Sequence, residues 1–203
     1  MLRIGLTGGI GSGKTTIAEI FSNLKYPIYI SDQRANHLIN SDPQIKSALT
    51  GHFGKDIYTP EGCLDKKELA NIIFQDKAAL NFVNQTVHPR VLEDFTHWAE
   101  QQTGDMVLFE SAILFEAGLE GYFDYIICIY APLELRVKRV ARRDHIAEEK
   151  VMERINNQMD DREKCRKSDF IINTDEGADL LQQVKEIIKT IETNERRIAP
   201  DSL

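Results

Sequence analysis

The residues with the most specific chemistry in this 203-residue chain are Gly8-Gly9-Ile10-Gly11-Ser12-Gly13-Lys14-Thr15. They satisfy the spacing G-x-x-x-x-G-K-[ST]. Glycine accepts positive φ and places no side chain between backbone and ligand. Consecutive N–H groups can therefore turn inward and form a nest for an anion. A helix that starts at the end of such a loop adds its positive dipole end to the nest. In that setting Lys14 reaches the β- and γ-phosphates of a nucleoside triphosphate, and the Thr15 hydroxyl ligates magnesium. The expected nucleotide contacts are Gly9, Gly11, Ser12, Gly13, Lys14, Thr15 and Thr16. Four fixed positions match by chance in roughly one chain of this length in a hundred. Here an apolar segment precedes the motif and a helical pattern follows it, which is the context that confirms it.

Such a loop serves kinases, GTPases and motors alike. The chain has no N-K-x-D segment to read guanine, no D-x-x-G switch and no L-S-G-G-Q stretch. These absences leave a small-molecule kinase using ATP and Mg2+. Further candidates flank the predicted strands. Asp32 follows the second strand, at the sheet edge that holds ligands in open α/β folds. It can accept a hydroxyl proton or organise the metal, and it can equally cap the next helix. Arg136, Arg139 and Arg143 recur at i, i+3 and i+7, so they share one helix face. Guanidinium groups answer the charge that spreads over a phosphoryl group in transfer. Arg139 and Arg143 are the preferred pair, and a solvated basic face paired with Asp144, Glu148 and Glu149 is the alternative. Glu110 ends the third strand, where it can hold magnesium through water or bond to neighbouring loops. Asn173, after the fifth strand, is either an adenine contact or a plain turn residue.

The elements that must position these groups read as α/β. Apolar runs at Arg3–Thr7, Pro27–Ile30, Asp105–Phe109, Tyr125–Tyr130 and Phe170–Ile172 lack alternation. That pattern signals strands buried on both faces, as in a five-stranded parallel sheet covered by helices. The expected architecture is a three-layer P-loop fold. Helix patterns follow at Thr15–Leu24 and Gly177–Thr193, with a polar, frayed tail from Asn194. The long stretch between the second and third strands carries helical patterns at Pro43–Phe53, Lys66–Phe74, Lys77–Thr86 and Pro89–Gln101. A crossover needs far fewer residues, so this stretch reads as an inserted substrate-binding unit. The charged segment between the fourth and fifth strands reads as a helical lid. The expected division is 1–36, 104–138 and 168–203 as nucleotide-binding core, 37–103 as insertion and 139–167 as lid.

Composition excludes several classes. A net charge of −7 argues against nucleic-acid binding, which needs a basic surplus. No apolar run is long enough to span a membrane, and the start of the chain lacks signal-peptide organisation. Cys63, Cys128 and Cys165 are odd in number and far apart, which fits a reducing cytoplasm and no disulfide framework. No histidine pair has zinc-ligand spacing. A monomer or weak homo-oligomer is expected.

Beyond the loop, several strings resemble the dephospho-CoA kinase family. Leu6-Thr7-Gly8-Gly9-Ile10-Gly11-Ser12-Gly13-Lys14-Thr15 resembles its L-T-G-G-I-G-S-G-K-[ST] signature. Ser31-Asp32 with Ala35 resembles its D-A-D-x-x-A, and Val87-His88-Pro89 its H-P. Ile113-Leu114-Phe115-Glu116 resembles its L-L-F-E. Arg142-Arg143-Asp144 and Gln158 resemble its lid, and Asp169 with Ile172-Asn173 its closing A-D-x-V-I-x-N. The likeness covers about residues 2–190. Two departures stand out: D-A-D becomes Ile30-Ser31-Asp32, so only the second Asp remains, and Glu110-Ser111-Ala112 replaces D-x-P. The resemblance implies transfer of the ATP γ-phosphoryl group to the ribose 3′-hydroxyl of dephospho-CoA, the last step of coenzyme A synthesis. It strengthens a catalytic role for Asp32, beside Lys14, Arg139 and Arg143 already singled out by motif and spacing, and it implies substrate-side roles for Asp32, His88 and Pro89. Apolar groups of the insertion (Phe74, Leu80, Phe82, Val83) are the expected neighbours of the pantetheine arm. A different P-loop nucleoside or nucleotide kinase, or a non-catalytic ATP-binding module, are the alternatives.

Overall fold

The computed structural model describes residues 1–198, without the side chains of Phe74 and residues 194–198. Five strands form one sheet: β1 (Leu2–Thr7), β2 (Ile28–Ile30), β3 (Met106–Glu110), β4 (Tyr125–Tyr130) and β5 (Phe170–Asn173). Their order is β2-β3-β1-β4-β5. β1 pairs parallel with β3 on one side, Ile4 opposite Leu108. It pairs parallel with β4 on the other, Leu6 opposite Ile127. β4 pairs parallel with β5. Every residue of β3 is buried, and so are Ile4, Leu6 and Thr7 of β1. In β1, β3 and β4 the unbroken apolar runs thus mean burial on both faces. β5 departs from the expectation: as an edge strand it buries Ile172 and leaves Ile171 exposed. Asn173 forms the last residue of β5 instead of stopping it.

The chain divides into two compact units, Met1–Ile28 with Gly104–Leu203, and Tyr29–Thr103. In the first, α1 (Lys14–Asn23) follows β1, and α6 (Leu133–Asp144), α7 (Glu148–Asn156) and α8 (Asp161–Lys167) lie between β4 and β5. The last helix, α9, spans Leu180–Ile198. It begins later than expected, because Gly177 has φ 85°, and it runs past Thr193. The part of the expected polar tail from 199 onward lies outside the described residues. Segment 139–167 belongs to this first unit. Its helices share a small apolar cluster of Val137, Val140 and Val151. Two of the three cysteines that stand far apart in sequence come together here: Cys128 Sγ lies 3.3 Å from Cys165 Sγ, both as free thiols. Burial pushes the Cys128 thiol up from its ordinary pKa.

The second unit consists of α2 (Ser31–Ser41), α3 (Pro43–Phe53), α4 (Lys66–Gln75) and α5 (Lys77–Glu100). Three of these helices begin at an aspartate cap, whose carboxylate accepts two backbone N–H groups: Asp42, Asp65 and Asp76. Residues 29–36, expected in the core, fall in this unit because α2 packs on α5. The two helices expected at Lys77–Thr86 and Pro89–Gln101 are one, with Pro89 inside it. Proline removes a helical hydrogen bond, at a cost of about 3 kcal/mol in isolation. Ala79, Val83, Val87, Val91, Phe95 and Ala99 recur every four residues and are all buried. Burying that stripe against α2, α3 and α4 offsets the cost.

Two carboxylates hold this unit. Asp42 pairs with Arg90 at 2.8 Å, and Asp94 takes two bonds from Arg34, 2.8 and 2.7 Å. Tyr29 donates to Asp94 at 2.6 Å and to the Val91 carbonyl at 3.1 Å. Burial opposes the charge of each carboxylate. Arg90 with the Ile45 and Gln44 N–H groups, and Arg34 with Tyr29, outweigh it, so both pKa values fall below the ordinary range. Depressed folded values give stability that is complete above the unfolded carboxylate pKa of about 3.9 and lost as pH falls through the folded ones. The share of stability due to these two carboxylates, read by urea unfolding, should therefore be flat above about pH 5 and fall below about 4. Asp42→Asn/Asp94→Asn should lose less stability over the acid range. An equal acid loss in the two proteins would remove these carboxylates from the response.

Candidate active site

The loop Gly8–Gly13 joins the C-terminal end of β1 to α1, at the point where β3 and β4 flank β1 on opposite sides. Such a switch point is where open α/β sheets take ligands. Gly8, Gly11 and Gly13 have φ of 148°, 80° and 95°. At Gly8 the neighbouring backbone adds a second demand, since a Cβ there would run into the Ile129 carbonyl. Gly13 is the N-cap of α1 and offers no side-chain cap, and no acidic residue occupies the first turn. α3, α4, α5 and α8 are all capped by aspartate. α1 thus keeps its first N–H groups and positive dipole end for an incoming anion.

Three cations meet at this helix start. A cavity of about 210 Å³ is lined by Gly11, Gly13, Lys14, Thr15, Arg139 and Arg143. Local positive charge in a chain of net charge −7 is what a polyphosphate site requires. Lys14 Nζ donates to the carbonyls of Gly8 at 2.9 Å and Gly9 at 3.3 Å. Arg139 donates to Thr174 Oγ1 at 3.0 Å and to the Thr174 carbonyl at 2.7 Å. Arg143 is more exposed and pairs with Asp144 at 2.7 Å, as the solvated-face alternative anticipates. Its side chain still borders the cavity.

Sequence reasoning missed Thr174. This buried residue donates to the Ser12 carbonyl at 2.7 Å and accepts from Arg139. It ties the loop, the arginine helix and the end of β5 together. Its place after strand β5 was the only signal. Asn173, next to it, donates its side-chain N–H to Asp175 at 2.9 Å. Its backbone exchanges hydrogen bonds with Gln183 of α9 at 2.9 and 3.0 Å, a turn-like engagement. Arg136, the third arginine of the series, does not line this cavity. It is buried and donates to the Ile10 carbonyl at 2.9 Å.

In the second unit, Asp32 lies in the first turn of α2, whose N-cap is Ile30. The capping alternative for Asp32 therefore fails. Its side chain is exposed. His88 is half-buried in α5, and burial pushes its pKa down, so it is neutral at neutral pH. Pro89 is exposed. Of the proposed pantetheine neighbours, Val83 is buried in the α5 stripe. Phe82 stacks on His52 at 3.8 Å, Leu80 is exposed, and the Phe74 side chain is outside those described.

Among the described residues no three His, Cys, Asp or Glu side chains gather to hold a metal. Magnesium commonly takes one or two protein oxygens and completes its shell with substrate phosphates and water. Thr15, in the first turn of α1 beside Lys14, fits that donor set. Glu110 is buried at the end of β3. Two hydroxyls near the loop, Thr7 Oγ1 and Ser12 Oγ, are buried without a hydrogen-bond partner.

Known proteins resemble this chain over most of its length. A family model described as dephospho-CoA kinase matches residues 2–179. A dephospho-CoA kinase of Bacteroides fragilis is 39% identical over 188 residues, 92% of this chain and 91% of that protein. A crystal structure from Thermus thermophilus superposes with a TM-score of 0.82 at 28% identity, covering 93% of this chain and 96% of the other. A dephospho-CoA kinase structure from Campylobacter jejuni gives a TM-score of 0.67 at 27% identity, covering 95% and 98%.

Proposed function

The chain belongs to the dephospho-CoA kinase family, and from that premise we propose how its own residues move the γ-phosphoryl group of ATP to the ribose 3′-hydroxyl of dephospho-CoA. The observation that carries the reading is the uncapped start of α1, with Lys14, Arg139 and Arg143 around one cavity. Backbone N–H groups of Gly11 to Thr16 bind the polyphosphate. Lys14 exchanges its loop carbonyls for β- and γ-oxygens and stabilises the charge that grows there in transfer. Arg139, anchored through Thr174, and Arg143 add guanidinium charge to the same oxygens. Magnesium, for which Thr15 is the protein ligand and Glu110 a partner through water, would when bound neutralise charge on the bridging phosphates.

Asp32 accepts the proton of the attacking 3′-hydroxyl. A carboxylate that is exposed and free of a capping duty suits that role. His88, neutral through burial, orients the acceptor by hydrogen bonding, with Pro89 shaping its helix. The helical unit 37–103 binds the CoA portion, 139–167 acts as the lid, and the remaining segments hold the nucleotide. Asn173 borders the adenine. The active form is a monomer or weak homo-oligomer, and its large exposed apolar side chains are scattered along the chain. The setting is cytoplasmic. Three free cysteines suit a reducing compartment, and none of the described helices is long and apolar enough to cross a membrane.

A coupled ADP-release assay over a panel of acceptors tests the assignment. Dephospho-CoA should give kcat/KM at least about a hundredfold above any nucleoside, because buried polar groups left unpaired by a poor acceptor cost that much. Turnover with a nucleoside and none with dephospho-CoA would overturn it.

A further inference from the structure

Ile10 stands between Gly9 and Gly11, so two successive peptide planes of the phosphate loop lie beside residues that resist rotation least. Both are held by side chains from distant parts of the first unit. The Ile10 N–H donates to Gln158 Oε1 at 2.8 Å. The Ile10 carbonyl accepts from Arg136 Nε at 2.9 Å. Arg136 is buried and paired to Asp161, which is itself almost fully buried. Arg136 and Asp161 close over Gly9, where an added Cβ would collide with both side chains.

The segment supplying Gln158 and Asp161 is anchored in turn. The Met159 N–H donates to Glu116 Oε1 at 2.9 Å. Lys164 is fully buried in α8. Its ammonium bonds to Glu116 Oε1 at 2.7 Å and to the Ala112 carbonyl at 2.6 Å. A chain of bonds thus runs from the loop after β3, through Glu116 and α8, to the phosphate loop. None of these groups lines the three-cation cavity.

We propose that Gln158, Arg136 and Asp161 are positioning residues that fix the two Ile10 peptide planes before ATP arrives. A free glycine-flanked peptide samples flipped states, and the nest forms only in one of them. Ordering it in advance removes that entropy from the binding step. The resemblance between lids pointed to Gln158, but its contact was invisible in the sequence. Arg136 then acts on ATP through the loop and not as a phosphate contact. The proposal rests on the phosphate loop binding ATP, not on which acceptor follows.

Gln158→Met keeps length and volume and loses the acceptor. Amide exchange at Ile10, followed by NMR on the ATP-free protein, should quicken in this variant while β1 and α1 amides keep wild-type rates. Calorimetric ATP affinity without acceptor should weaken roughly tenfold, the worth of a hydrogen bond or two in ordering the loop. Gln158→Glu restores an acceptor and should recover Ile10 protection. Arg136→Gln/Asp161→Asn removes both buried charges together, avoids an unpaired one, and should weaken ATP similarly. The KM for dephospho-CoA should stay within about twofold in each variant, since uniform binding of the other substrate is untouched. Wild-type Ile10 exchange and ATP affinity in Gln158→Met would overturn the proposal. So would an equal loss of both substrates' affinities with a fallen melting temperature, which marks a merely structural role. ATP binding is read directly, so an error in the acceptor leaves this test intact.

Discussion

Lys14→Ala will lower kcat about a thousandfold, with a fold and melting temperature close to wild type. Lys14 Nζ rests on the Gly8 and Gly9 carbonyls at 2.9 and 3.3 Å, so its cation is held at the mouth of the phosphate nest. Those contacts are exchanged for β- and γ-oxygens whose charge rises along the transfer coordinate. Removing one preorganised charge or donor of this kind costs about 10²–10³ in rate, or roughly 3–4 kcal/mol. The loss should fall mainly on kcat, because the interaction is strongest in the transition state. Stability should change little, since α1 is held by Ile17, Ala18 and Phe21 in the core. Single-turnover rates separate this chemistry from product release, and near wild-type transfer would take Lys14 out of the mechanism.

Asp32→Asn will reduce kcat by about 10²–10⁴, the usual worth of a positioned base, and leave calorimetric ATP affinity within about threefold. Asn keeps the shape and hydrogen-bonding reach of Asp but takes no proton at neutral pH. Asp32 is exposed, and Ile30, not Asp32, caps α2. The substitution therefore breaks no helix cap, and its effect on stability should lie within about 0.5 kcal/mol, as for other surface changes. A fall in ATP affinity with kcat preserved would make Asp32 a nucleotide contact. A fall in melting temperature that accounts for the lost activity would make it structural.

The parts legible in the sequence were those with local causes. The glycine spacing fixed the loop, and continuous apolar runs fixed the five strands. The Pro43–Phe53 helix was found to the residue because Asp42 caps it and proline opens it. The single long α5 was not legible. Pro89 breaks the local pattern, and only burial of a stripe running from Ala79 to Ala99 overrides that signal. Asp32 was read for its type, but α2 starts at Ser31 with Ile30 as its cap, and isoleucine carries no capping signal in a sequence.

Within the site, Lys14, Thr15, Arg139 and Arg143 came from spacing alone and line one cavity. Thr174, Gln158 and Arg136 act through contacts across 162, 148 and 126 sequence positions. No periodicity encodes separations of that length. Arg136 illustrates the limit well. Its i, i+3 relation to Arg139 places both on one helix face, yet one is buried against Ile10 and the other borders the cavity at the start of α1. Helical phase gives a direction, not the neighbour met there.

The most direct test of the central claim is to identify the phosphorylated product. The purified chain is incubated with ATP, magnesium and dephospho-CoA, and the acceptor is followed by mass spectrometry and phosphorus NMR with coupling to the ribose protons. Transfer through Lys14 and Asp32 predicts ADP and CoA in equal amounts, the new phosphomonoester coupled to H3′. ADP formed without a phosphorylated acceptor, or phosphate on any other hydroxyl, would contradict it.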